Sequence, residues 1–211
     1  MKAKIAIALM MVSTTVLADS HSEKKGSAMP PKAPEAKKDA PKAPDAPKAM
    51  EQPKPPAELA AMQKMMAGNW KCTGKGAMDP ANPANMTDFK GTFTSALDAS
   101  LDKFWIKGSW TGSAGKLKMK GTSYTTYDAT SKKWTRVMLD NWGMSGTESS
   151  SGLPAGATEG TITWEGESRM MGQVMKGKTT EDVKAKEMKM KVDMSMDGKK
   201  WMTGMEMTCT K

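Results

Sequence analysis

The sequence has little of what enzymes most often use. Its 211 residues include one histidine, His21, two cysteines and two arginines. Beyond residue 56 there is no imidazole at all, so a serine or cysteine triad, a histidine zinc site and a histidine-ligated haem are excluded there. Glycine pairs occur in turns, but no glycine-rich phosphate loop does. Asp140, Glu148, Glu159, Glu165 and Glu167 could in principle work as acid and base, yet strand ends and polar faces suit solvated carboxylates better. No catalytic group, metal or cofactor is therefore expected. Two tyrosines are too few for the aromatic girdles of a transmembrane barrel, and the chain ends in Thr210 and Lys211 without an aromatic anchor.

Long apolar runs are also missing. The one candidate, "IAIALMMVSTTV" after "MKAK", is too short for a permanent span and reads as a signal peptide over residues 1–18. Val16 and Ala18 occupy the two small positions before a cut after Ala18, and no cysteine follows to take a lipid anchor. An exported protein, periplasmic or secreted, is expected. Residues 19–56 change to Pro, Lys and Ala, with nine of the twelve prolines. That composition offers too little apolar surface to offset the entropy of ordering, so a disordered, polyproline-like linker is expected. Extended at about 3.1 Å per residue it could reach on the order of 100 Å, enough for a tether that touches a cell-envelope component.

What is abundant is methionine, 23 residues, and lysine, which drives the net charge of +9. From residue 57 to 211 the length suits one domain with a real core. "PPAELAAMQKMMAG" predicts a short helix opened by Pro56, with Leu59, Met62 and Met66 on one face and Gly68 ending it. The period then falls to two. "NWKCTGK", "DFKGTFTSAL", "KFWIKGSWTG", "KLKMKGTSYTTY", "KKWTRVML", "GMSGTESS", "EGTITWEGES", "MGQVMKGKTT", "VKAKEMKMKVDMSM" and "KKWMTGMEMTC" read as about ten strands. With no helical crossover between them the sheet must be antiparallel, and closure into an up-and-down barrel removes its edges. The lysines alternate with apolar residues, as on the wet face of a sheet. They serve solubility in this reading rather than a specific nucleic-acid or other polyanion site.

Seven methionines fall within residues 187–209. Read with a period of two, Met188, Met190, Val192, Met194 and Met196 share the buried face of one strand, and Trp201, Thr203, Met205, Met207 and Cys209 share that of the next. The turn "DGKK" makes them one methionine-lined surface. Thioethers also suit Cu(I), so a methionine-rich copper site is an alternative. In an exported protein the two cysteines are expected to be oxidised. Cys72 lies in the first strand and Cys209 in the last, both facing inward, and closure of the barrel makes them cross-strand neighbours able to form a disulfide.

Several segments carry a resemblance. "GNWKC" after a short helix resembles the G-x-W entry to the first strand of lipocalins. "MAGNWKCTGKG", "KGTSYTTYDATSKKWTRVMLDNWGMSGTESSSG" and "DGKKWMTGMEMTCTK" look like the bacterial domain-of-unknown-function 1579 family, which is similar to calycins. The likeness spans almost all of residues 57–211 and implies a calycin-like barrel with an interior cavity. It brings no activity and no catalytic residues.

These expectations converge on a non-enzymatic barrel that binds a small apolar or amphipathic ligand in its interior, not an integral membrane protein. Trp70, Trp110, Met190, Met205 and Met207 are the expected lining. The main alternative is a tethered envelope protein whose barrel is filled solid.

Overall fold

The computed structural model describes residues 52–77, 84–154, 156–170 and 172–211. The expected signal peptide and the expected linker up to residue 51 lie outside the described residues.

Helix α1 (Ala57–Met66) starts after Pro56, whose fixed φ suits a helix start, and buries Leu59, Met62 and Met66 as the periodicity predicts. Gly68, at φ +111°, is where the chain turns out of the helix into β1, a conformation that favours glycine. Ten strands follow: β1 (Gly68–Ala77), β2 (Met86–Leu97), β3 (Ile106–Ala114), β4 (Leu117–Asp128), β5 (Lys133–Asp140), β6 (Ser145–Ser150), β7 (Gly160–Met170), β8 (Gln173–Val183), β9 (Glu187–Ser195) and β10 (Met202–Thr210). Each pairs antiparallel with the next, and β1 pairs with β10 to close an up-and-down barrel. The all-β barrel expected from the alternation is the fold observed.

Three details differ from the expectation. The run "VKAKEMKMKVDMSM" is divided between two strands, because β8 ends at Val183 and Lys184 turns back, its N–H donating to the Glu187 carbonyl. In β10 the register slips between Thr203 and Met205, so Thr203 leaves the inner face and its hydroxyl donates to Asp193 Oδ1 at 2.9 Å. Gly204 permits this slip, since a Cβ there would overlap the end of the Met194 side chain. Met196 and Trp201, both expected inward, are turned out at the β9–β10 turn, 55% and 45% exposed, while Ser195 is buried and caps that turn by accepting the Gly198 N–H.

The inner wall carries many glycines, and aromatic rings cover several of them. Phe89 lies over Gly91 and Gly112, and Trp110 over Gly121. At Gly166 the neighbouring strand itself approaches, so that an added Cβ would overlap the Thr147 carbonyl oxygen. Close strand approach of this kind is how a small barrel turns its corners. Gly166→Ala is expected to destabilise the barrel by roughly 1 to 3 kcal/mol, read as a lowered urea midpoint. An unchanged midpoint would show that β6 and β7 can separate freely there.

Candidate functional site

The two ends of the barrel are built differently. Around α1 the inward side chains Trp70, Cys72, Ile106, Trp134, Ile162, Val183 and Met188 are all buried. Trp70 Nε1 donates to the Met66 carbonyl at 2.9 Å, and Ser95 Oγ donates to the same oxygen at 3.0 Å, which ties the helix across the barrel floor. Towards the other end the inward side chains Trp110, Met119, Met138, Met190, Met205 and Met207 are half-buried, while Phe89 and Ala114 beside them are buried. Their outward neighbours, Lys118, Lys120, Lys189, Lys191 and Glu206 among them, are exposed to bulk water. The barrel is thus closed by α1 at one end and less tightly buried at the other.

Between floor and mouth sits a charged cluster. Arg136 on β5 donates to Glu148 on β6 from Nη2 at 2.6 Å and from Nε at 3.0 Å. Across the lumen its Nη1 donates to Glu181 of β8 at 2.6 Å. The remaining carboxylate oxygens are engaged too: Thr179 Oγ1 donates to Glu148 at 3.0 Å, and Trp164 Nε1 to Glu181 at 3.1 Å. The guanidinium carbon also stands 4.3 Å from the centroid of the Trp164 ring, at cation–π distance. Side-chain exposure is 11% for Arg136, 5% for Glu148 and 2% for Glu181. Burial pulls the Arg136 pKa down, but the charges and hydrogen bonds of Glu181 and Glu148 outweigh it and hold the group above its ordinary value. Arg136 therefore stays cationic.

The barrel register joins this cluster to the methionine wall. Glu181 pairs with Met190, Met190 with Met207, and Met207 with Gly74 of β1. One level nearer the mouth, Thr179 pairs with Val192 and Val192 with Met205. At the seam Cys72 and Cys209 are directly paired and disulfide-bonded, as expected.

The whole barrel and its helix fall within one match: the model for a protein family of unknown function, DUF1579, covers residues 54–211. The chain belongs to the DUF1579 family. Among solved structures, Rv2717c from M. tuberculosis is similar to the DUF1579 barrel with a TM-score of 0.55 and 12% identity, over 74% of this chain and 98% of that one. At that identity the likeness speaks for the fold alone. No curated protein matches the sequence.

Of the expected lining residues of this DUF1579 protein, Trp110, Met190, Met205 and Met207 face the interior in the half away from α1. Trp70 is fully buried in the floor. Glu148, expected on a polar face in water, is buried inside the barrel. The reason is that Arg136 supplies its counter-charge there. Glu159, Glu165 and Glu167 are exposed, and Asp140 Oδ1 accepts the Trp142 and Met144 N–H groups in the β5–β6 turn. Arg136, Trp164, Thr179 and Glu181 were not among the expected residues. A signal for them exists: the period of two puts Arg136 on the face of Trp134, and Glu181 on that of Val183.

Proposed function

We propose that the DUF1579 barrel is an exported, non-enzymatic carrier that holds a small, mainly apolar molecule in the open half of its lumen. The observation that carries this reading is the contrast between a fully buried floor and a half-buried wall of Trp110, Met190, Met205 and Met207. Methionine is flexible and polarisable, so such a wall moulds itself to apolar ligands of different shape. All four oxygens of Glu148 and Glu181 are already hydrogen-bonded, which leaves the charged cluster little to offer a ligand head group. Recognition falls to the wall. Export is supported by the cysteine bridge, since disulfides persist in oxidising compartments.

A titration with a fluorescent alkyl-chain probe tests the reading. Met190→Phe with Met207→Phe, which fill the lumen without adding charge, are expected to weaken binding at least about tenfold, roughly the worth of one lost side-chain contact area. Unchanged affinity would place the probe elsewhere and sink the proposal.

A filled barrel remains the competing reading, and one observation favours it. Two concavities, of about 560 and 670 Å³, lie on the outer wall, one lined by Glu165, Lys176, Asp193 and Trp201 and the other by Lys90, Thr111, Lys118 and Asn141. In that reading the outer wall, not the lumen, meets an envelope partner. A copper site is weakened because the disulfide takes both thiolates out of play.

A further inference from the structure

The exposed apolar side chains are not scattered. Of the large hydrophobic residues exposed among the described residues, Leu117, Leu139, Val174, Met196, Trp201 and Met202 all lie at the mouth of the barrel. Only Leu101 lies at the helix end. They sit on or beside the β3–β4, β5–β6, β7–β8 and β9–β10 connections, four separate pieces of chain that the closed topology brings to one rim. Single exposed apolar residues need no explanation, but a cluster of them at one end of a barrel does.

The charges on the same rim are also sorted. Lys116, Lys118, Lys199 and Lys200 are exposed, and none of them forms an ion pair among the described residues. Several nearby acids are occupied, while Glu167, opposite Lys176 in the β7–β8 register, and Asp88 are exposed without an ion pair among the described residues. Asp193 pairs with Lys191 at 3.0 Å, and Asp140 accepts two backbone N–H groups. Asp197 accepts the N–H groups of Lys200 and Lys199, which with the Ser195 hydroxyl hold its carboxyl below the usual aspartate range. Those bonds also fix the β9–β10 turn, so Met196, Trp201 and Met202 stand out from a structured hairpin. Free lysines interleaved with an indole and aliphatic side chains match an anionic lipid surface: the apolar tips enter the boundary between head groups and acyl chains, and the ammonium groups meet phosphates.

We infer that the open rim docks on anionic bilayers, lumen towards the lipid. This goes beyond ligand carriage and stands whether or not the lumen is loaded. No atom of the barrel needs to cross the membrane, and no helix among the described residues is long and apolar enough to do so.

The test is flotation of the protein, as its own host produces it, with vesicles of phosphatidylglycerol and phosphatidylethanolamine, against vesicles of phosphatidylcholine alone. Binding to the anionic vesicles only is expected. Lys199→Gln and Lys200→Gln are each expected to weaken it about fivefold, the worth of one lysine near an anionic surface. Trp201→Ala is expected to weaken it roughly tenfold through lost apolar burial. Lys64→Gln with Lys133→Gln, at the helix end, should change it less than twofold. Equal losses from both ends, or no flotation with anionic vesicles, would overturn the inference. So would a dimer in sedimentation that dissociates on Trp201→Ala, because the rim would then be covered by a second copy. All these residues are exposed, so circular dichroism of each variant should match the parent and tie any loss to the rim.

Discussion

Replacing Arg136 with methionine is expected to lower the unfolding free energy by about 3 to 5 kcal/mol, among the largest losses any single substitution in this barrel produces. The cause is what remains behind. Glu148 and Glu181 are almost fully buried, and each loses its only cationic partner. Without it, two carboxylates are left in a buried site with no counter-charge, and the cost of burying them falls on the folded state. Adding Glu148→Gln and Glu181→Gln removes the stranded charges while keeping acceptors for Thr179 and Trp164. That triple variant is expected to recover to within about 2 kcal/mol of the parent. Urea unfolding of the single and triple variants checks both statements. A single variant as stable as the parent would mean that water reaches the carboxylates freely.

The second large effect belongs to the seam. Cys72 and Cys209 stand 137 residues apart in sequence, so their bond closes nearly the entire barrel into one loop. Under the chain-entropy account a loop of that length contributes roughly 4 to 5 kcal/mol, and engineered examples often give less. Cys72→Ala with Cys209→Ala is expected to cost about 3 to 5 kcal/mol. The loss should also have a location. β1 and β10 form the pairing that joins the two ends of the meander, so without the bond their amides are expected to exchange before those of β3 to β8. Exchange that rises uniformly around the barrel would argue that the bond restrains only the unfolded chain. Intact mass before and after reduction supplies the direct check, with a gain of two hydrogens expected.

Much of this architecture was legible because alternation survives in nearly every strand. "EMKMKVDM" places Met188, Met190, Val192 and Met194 on one side without ambiguity, and the cysteine pairing follows from closure of first strand on last. The failures have physical causes. A one-residue slip at Gly204 inverts the side on which Thr203 lies, and a bulge leaves no mark in a period-two count beyond the glycine itself. The charged cluster was missed for a different reason. Arg136, Glu148 and Glu181 each obey the inward parity of their strands, but a lone charge on an apolar face reads as an exception until its partners are known. What brings them together is the stagger between strands, which puts positions 136 and 181 opposite each other across the lumen. The mouth rim escaped for the same reason, since its members belong to four different turns.

The central claim is that the open half of the lumen is a ligand site. Native mass spectrometry of the protein purified from its own host tests it most directly. The account predicts a population carrying a small organic molecule at one per chain, released when Met190→Phe and Met207→Phe fill the wall. A chain found only at its bare mass, or one holding copper that survives dialysis, would contradict it.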